Sequence, residues 1–303
     1  MAAVDVSIIV PSWNTRELLG ACLESACDPT VHTETIVVDN GSRDGSPEFV
    51  ESRFPSVRLL RSAENRGFPA AANQGARVAT GRHLLFLNRD ARLLPGALGA
   101  LLDVARMHAD AGVVGARILN VDGSFQASHT RFPTLASEFL VLSGLGRLFR
   151  GAQYPSAGPD EGAPRPVDWV SGACFLVRRE ALAAVSGFDE DYFLYAEETD
   201  LCYRLRLAGW RTWYQPAAQV LHIGEASLGG RRPDVEAHLY RSRVRFFRKH
   251  RGPAAARMLR AQIYGFTAVK RVAHGFVRLV SRERFGRQVI SLRRLATHLR
   301  DDA

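Results

Sequence analysis

Four short stretches hold side chains whose types and spacing could do chemistry. Asp39-Asn40-Gly41-Ser42 follows an apolar run. A carboxylate there can accept the N3–H of uracil or thymine, and Gly41 lets the backbone turn with positive φ. The same tetrapeptide also suits an ordinary turn ending a strand. Asn88-Arg89-Asp90 follows a second apolar run. Two oxygen-bearing side chains flanking one residue can hold a hard divalent cation, Mn²⁺ or Mg²⁺, which often takes one or two carboxylates and fills its sphere with substrate phosphates. Asp90, being charged, is the better ligand; the alternative is that both residues cap the following loop. Glu197-Glu198-Thr199-Asp200 puts three carboxylates within four residues. Their mutual repulsion suits a general base of raised pKa beside a metal–diphosphate site, but equally an acidic first helical turn. His222 ends a further apolar run. Its ring can complete a metal sphere or touch a diphosphate, or simply pack.

These groups need elements to position them. Short apolar runs at 6–10, 35–38, 57–60 and 83–87 alternate with helical spacing at 15–26, 47–54 and 70–79. Uninterrupted runs of four or five apolar residues between helices indicate a parallel sheet covered on both faces. The pattern predicts a doubly wound α/β half-domain, which binds ligands outside the carboxyl ends of its strands, where Asp39 and Asn88–Asp90 fall. Further on come a helix at 97–108, strands at 113–119, 167–178 and 211–222, a helix at 198–208 and a loop at 154–166. From 254 to 300 the spacing is helical, with breaks expected near Gly265, Gly275 and Gly286. Leu259, Ile263, Phe266, Val269, Ala273, Phe276, Val277 and Val280 share one face there.

Charge divides the chain. Its 303 residues carry 40 Lys and Arg against 31 Asp and Glu, a net of +9. Residues 241–303 hold 17 basic and three acidic groups, leaving 23 and 28 in 1–240, so the excess belongs to the end of the chain. We therefore expect a catalytic domain over 1–240 and a basic amphipathic helical extension over 241–303. Such an extension suits an anionic membrane surface, or packing on the catalytic domain or a second copy of the chain. Nucleic acid is not expected as a partner, since no recognised motif accompanies the charge. No run of about 18 uncharged apolar residues occurs, and the N-terminus lacks a basic segment ahead of its first strand. The four cysteines show no CxxC spacing, which fits free thiols rather than zinc or disulfides. These features fit a cytoplasmic chain, peripheral at the inner face of the plasma membrane if the extension binds lipid.

Taken in order, the sequence resembles the family 2 glycosyltransferases of GT-A fold, especially their rhamnosyltransferase-like branch. The resemblance spans about residues 4–250. It rests on 6–14 (VSIIVPSWN), 36–46 (IVVDNGSRDGS), Glu64-Asn65-Arg66-Gly67-Phe68 with Asn73, and Leu87-Asn88-Arg89-Asp90. It continues through 168–173 (DWVSGA), Gly187-Phe188-Asp189-Glu190, 193–204 (FLYAEETDLCYR), Gly209-Trp210, His222 and Ser227. It implies a mixed, mainly parallel central sheet and a nucleotide-sugar site in the N-terminal half. Pro11, Ser12 and Asp39 would contact base and ribose, with Asn14 beside them and Asn65, Gly67 and Asn73 near the nucleotide. Asn88-Arg89-Asp90 matches the Asp-x-Asp motif, with Asp90 reaching Mn²⁺ or Mg²⁺ and His222 as a second ligand. Arg89 replaces the branch's usual Pro; its cation either supplements the metal or points to solvent. The family commonly has Glu-Asp-x-Asp where this chain has Glu197-Glu198-Thr199-Asp200. Glu198 is then the first choice of base and Glu197 the second. Trp169 and Gly172 would line the donor sugar or acceptor pocket, with core packing the alternative for Trp169; Asp200, grouped with these substrate residues, and Arg204 would be structural or positioning. The implied reaction is a single displacement with inversion, from dTDP-rhamnose or a UDP-sugar to a glycan or polyprenol-linked acceptor in bacterial surface polysaccharide assembly. The alternative is a degenerate, non-catalytic relative that binds membrane or a partner through its basic helices. A dinucleotide oxidoreductase is disfavoured, because GxGxxG is absent after the first strand.

Overall fold

The computed structural model describes residues 4–150, 155–156, 162–224, 233–280, 291, 295–297 and 299. Two compact units emerge from its contacts. The larger comprises 1–132, 156–193 and 197–224; the smaller comprises 133–155, 194–196 and 225–303. The expected boundary at 240 falls inside the last long helix.

The larger unit is built on a nine-stranded sheet. Its edge begins with β3 (Arg58–Arg61), followed by β2 (Thr33–Asp39), β1 (Val6–Ser12) and β4 (His83–Leu87), joined by parallel ladders. All residues of β1 and β4 are buried, as strands covered on both faces require. Helices α1 (Arg16–Ser25), α2 (Ser46–Arg53) and α3 (Phe68–Val78) make the crossovers. The sheet continues through β10 (Cys174–Arg178), antiparallel to both β4 and β6 (Ala111–Leu119). Beyond β6 lies the parallel strand β11 (Arg211–His222), which pairs antiparallel with β5 (Ala91–Leu93) and with β8 (Arg165–Val167). Six of the nine strands thus point one way, giving the expected mixed, mainly parallel sheet. Between β5 and β6 runs α4 (Ala97–Met107).

Most expected elements recur within two residues, and 83–87 and 211–222 recur with the same ends. The strand expected over 167–178 is instead broken into β8, β9 (Trp169–Val170) and β10. β9 leaves the main sheet to pair with β7 (His129–Thr130). Asp168 sits at the break, its Oδ2 accepting the Phe132 N–H at 2.9 Å. The loop read at 154–166 lies partly outside the described residues, and its last two residues enter β8. After β10 come α7 (Arg179–Ala184) and α8 (Glu197–Leu207).

In the smaller unit, α5 (Leu135–Ser143) starts at a capping box between Thr134 and Ser137, and α6 (Leu145–Arg150) follows it. Helix α9 (Pro233–Val280) packs on α5 through the Arg243–Glu138 ion pair at 2.9 Å and a Phe139–Phe266 edge contact. Its break is not at Gly265 or Gly275, through which the helix runs, but at Gly252, whose φ of 87° is followed by Pro253. Glycine adopts that φ without strain, and proline starts a new helical segment well. Gly286 lies outside the described residues. The expected apolar face also divides. Leu259 and Ile263 are fully buried, whereas Val269 is 65% exposed; the side chains of Phe276, Val277 and Val280 are outside the described set.

Candidate active site

The carboxyl ends of β1 and β2 form the first part of the site. Asp39 is buried, and its Oδ2 accepts the Ser42 N–H at 3.1 Å. Its Oδ1 is buried with no hydrogen-bond partner, an arrangement costly unless a further N–H arrives. Pro11 is buried in β1 beside it, and the Ser12 hydroxyl pairs with Thr15 at 3.0 Å. Asn14, at φ 49°, accepts the Arg43 N–H at 2.8 Å and donates its own to Ser42 Oγ at 2.9 Å. Asn14 therefore ties two loops together.

Gly67 and its neighbours close this side. At φ 85° a Cβ on Gly67 would lie 2.8 Å from Phe193 Cα, so the position admits no larger residue without movement. Asn65 Oδ1 accepts from Gly67 N and Asn40 Nδ2, both at 2.9 Å. Asn73 donates to Phe188 O and Glu190 Oε1 and accepts from Phe188 N. Asn65 Oδ1 and the whole Asn73 amide thus hold loops together.

At the end of β4, Asn88 N donates to Ala173 O at 2.9 Å. The pairing of β5 with β11 sets His222 opposite Ala91 and thus beside Asp90. His222 Nε2 lies 3.4 Å from both Asp90 Oδ1 and Asn88 Nδ2. Asp90 Oδ2 accepts the Gly224 N–H at 3.2 Å. Burial opposes ionisation of Asp90, yet hydrogen bonding to His222 and the charges of His222 and Arg89 hold its carboxyl below the usual range. A carboxylate oxygen, an imidazole nitrogen and an amide in one corner fit a Mn²⁺ or Mg²⁺ ion whose other ligands are phosphates. Among the described residues no group of three or more His, Cys, Asp or Glu side chains gathers, so phosphates would have to complete the sphere. Arg89 is partly buried, with its Nε unpartnered.

Helix α8 carries the acidic cluster. Tyr195 and Ala196 before it adopt positive φ, 69° and 62°, a strained lead-in of the kind found near functional sites. Glu197 is buried with its Oε2 unpartnered. Burial first, then the charge of Glu198, pushes its carboxyl well above the ordinary range. Burial likewise pushes Glu198 up to about 7, against hydrogen bonds to backbone N–H groups at its own position and at Thr199. The Glu198 carboxylate faces Gly172: a Cβ there would lie 3.6 Å from Glu198 Cδ. Gly172 precedes Ala173, whose carbonyl holds Asn88. The acidic cluster and the Asp90 corner are thereby linked through 172–173.

Two expected substrate residues lie apart from this convergence. Asp200 is fully buried, accepting from Arg204 Nε at 2.6 Å and from the Tyr192 hydroxyl at 3.4 Å. Trp169 is half-buried and donates its indole N–H to Arg131 O at 3.0 Å. The sequence reading missed Gln126, whose Oε1 lies 2.7 Å from His222 Nδ1. No local pattern marks its meeting with a residue 96 positions away.

Comparison with known proteins fits this geometry. Residues 7–185 match the family model described as Glycosyl transferase family 2. An N-acetylglucosaminyl-diphospho-decaprenol L-rhamnosyltransferase of Mycobacterium tuberculosis is 35% identical over 230 residues, 67% of this chain and 70% of that one. Rhamnosyltransferase WbbL of Escherichia coli is 50% identical over 92 residues, 30% of this chain and 33% of that one. Among solved structures, a mannosyltransferase from Pyrobaculum calidifontis, in complex with GDP-Man and Mn²⁺, aligns with a TM-score of 0.57 at 19% identity, covering 99% of this chain and 80% of that one. GalNAc-T7 with UDP, GalNAc and Mn²⁺ aligns at 0.60 and 14% identity, over 81% and 48%. These two likenesses concern the fold, which is the GT-A arrangement.

Proposed function

The chain belongs to glycosyl transferase family 2, and on that premise we propose that it is an inverting rhamnosyltransferase acting on a polyprenol-linked or glycan acceptor in bacterial surface polysaccharide assembly. The observation that carries the reading is Glu198, a carboxylate raised to about 7 and set against Gly172. A base with that pKa takes the acceptor hydroxyl proton effectively near neutrality. The Asp90 corner, tied to the same segment through Ala173, receives the diphosphate. Asp39 Oδ1 accepts the N3–H of the thymine or uracil base. Asp90 and His222 would hold a divalent cation; bound there, it supplies charge neutralisation for the departing diphosphate. Mn²⁺ in the two solved relatives supports that choice. Rhamnose, the decaprenol-type acceptor and a place in polysaccharide synthesis are supported by the names of the similar enzymes.

A thermal-shift panel of nucleotide sugars with and without Mn²⁺ tests the proposal. At 100 times its Kd a ligand stabilises by about 2.7 kcal/mol. dTDP-rhamnose with Mn²⁺ should raise Tm more than either alone, and Asp90→Asn should remove the Mn²⁺-dependent part. A larger shift with another nucleotide sugar would reassign the donor. Turnover with dTDP-rhamnose would also exclude the degenerate, non-catalytic reading.

No helix among the described residues is long and apolar enough to cross a membrane. One observation favours peripheral attachment. Residues 241–280 contain 11 basic and no acidic groups. Exposed Met258, Val269 and Val272 stand among exposed Arg257, Lys270 and Arg271. Apolar side chains interspersed with cations suit an anionic lipid interface. Full-length protein should sediment with phosphatidylglycerol vesicles at low salt and stay in solution with phosphatidylcholine alone. Self-association without vesicle binding would give the surface to a second copy instead.

A further inference from the structure

A chain of side-chain hydrogen bonds reaches His222 from the turn after β6, and its direction is fixed at the far end. Asp122 can only accept when ionised, and its carboxyl is held low by the hydrogen bonds from Ser124. Ser124 Oγ therefore gives its proton to Asp122 Oδ1, at 2.6 Å. With that proton committed, Ser124 Oγ must accept, and it takes Asn120 Nδ2 at 2.9 Å. Asn120 consequently turns its Oδ1 to Gln126, whose Nε2 donates to it at 2.9 Å. Gln126 Nε2 also reaches His222 O at 3.4 Å. Flipping the Gln126 amide would set two oxygens against each other at both places. Gln126 Oε1 is thus the atom facing His222 Nδ1, at 2.7 Å, and only an Nδ1–H can satisfy it.

We propose that Gln126 is a positioning residue that holds a proton on His222 Nδ1, so that Nε2 is the ring atom turned to the Asp90–Asn88 corner, where it donates to Asp90 Oδ1, 3.4 Å away, until a cation displaces that proton. Asn88 Nδ2 lies equally 3.4 Å from Nε2. The function of the relay rests on the proposed cation site; the proton on Nδ1 does not. A ligating histidine whose other ring N–H is held is better oriented and more basic, and loss of such a partner typically costs 10–100-fold in metal affinity.

The test uses the full, metal-free chain with ¹⁵N-labelled histidine at about pH 8, above the ordinary histidine range. Long-range ¹⁵N–¹H spectra identify His222 by the signals lost in His222→Gln. Wild type should show a protonated Nδ1. Gln126→Glu keeps an acceptor and should keep that proton. Gln126→Leu removes the acceptor; it should lower Nδ1 protonation and weaken Mn²⁺ binding, read by electron paramagnetic resonance, by roughly 10–100-fold. Wild type with an unprotonated Nδ1, or Gln126→Leu with both Nδ1 protonation and Mn²⁺ affinity unchanged, overturns the proposal. The wild-type spectrum needs no variant, so the idea stays refutable even if Gln126→Leu does not fold. Wild type with Nδ1–H but no Mn²⁺ binding upholds the relay and removes the cation site from the proposed function.

Discussion

Replacing Glu198 by Gln should make the protein more stable and less active at once. The carboxyl is raised from 4.5 to about 7, chiefly by burial. A raised carboxyl is penalised when ionised. Below the ordinary value the penalty is absent; it grows as pH rises from 4.5 to about 7 and is then constant. At 1.36 kcal/mol per unit, the full penalty is on the order of 3 kcal/mol. Gln keeps the shape and removes the charge, which also relieves Glu197 of its neighbour's repulsion. Glu198→Gln should therefore match wild type near about pH 4.5 and melt several degrees higher at about pH 8. Turnover should move the other way. Loss of a positioned base typically lowers kcat by about 10²–10⁴-fold, with donor KM unchanged because the nucleotide contacts are elsewhere. In wild type, kcat/KM should rise through about pH 7 as Glu198 ionises. Differential scanning calorimetry across pH and steady-state kinetics read both quantities. A variant with wild-type kcat would refute the base assignment. A variant no more stable than wild type at about pH 8 would refute the burial argument.

Other substitutions probe the remaining geometry. Asp39→Ala removes the unpartnered Oδ1 and should weaken nucleoside-diphosphate binding by roughly 10–100-fold by calorimetry, leaving kcat at saturating donor within a few-fold; undiminished affinity would remove Asp39 from the base site. Gly67→Ala forces a Cβ into the Phe193 backbone at positive φ and should cost about 1–3 kcal/mol from strain alone, read as a lower urea midpoint. Arg204→Met removes the cation paired with the fully buried Asp200 carboxylate and should cost about 3–5 kcal/mol in chemical denaturation. Cys27 is exposed while Cys22, Cys174 and Cys202 are buried, so one thiol should titrate with an aromatic disulfide reagent in folded protein and four after unfolding.

Apolar patterning made much of the fold legible. The runs in β1, β2 and β4 and the punctuation by Pro and Gly located strands and helices closely, because buried strands and amphipathic helices impose local periodicity. The reversal of β10 between β4 and β6 was not legible, nor the detachment of β9, since pairing partners leave no mark on a strand's own sequence. Polar partners were hidden for a related reason: that Asn73 is held by Phe188, 115 positions away, shows only in the assembled fold.

By itself the sequence determined the inventory: a carboxylate after β2, an Asn-Arg-Asp after β4, an acidic helix start, a histidine ending β11 and a basic tail. Only the tertiary structure decided which of them meet. The register that sets His222 opposite Ala91 brings together residues 134 apart, and Gln126 joins them from a third segment. Burial, which raises Glu198 while Asp90 is held low, is likewise a property of the assembled fold. A side chain's type is local, whereas its desolvation and its partners depend on what the rest of the chain packs around it.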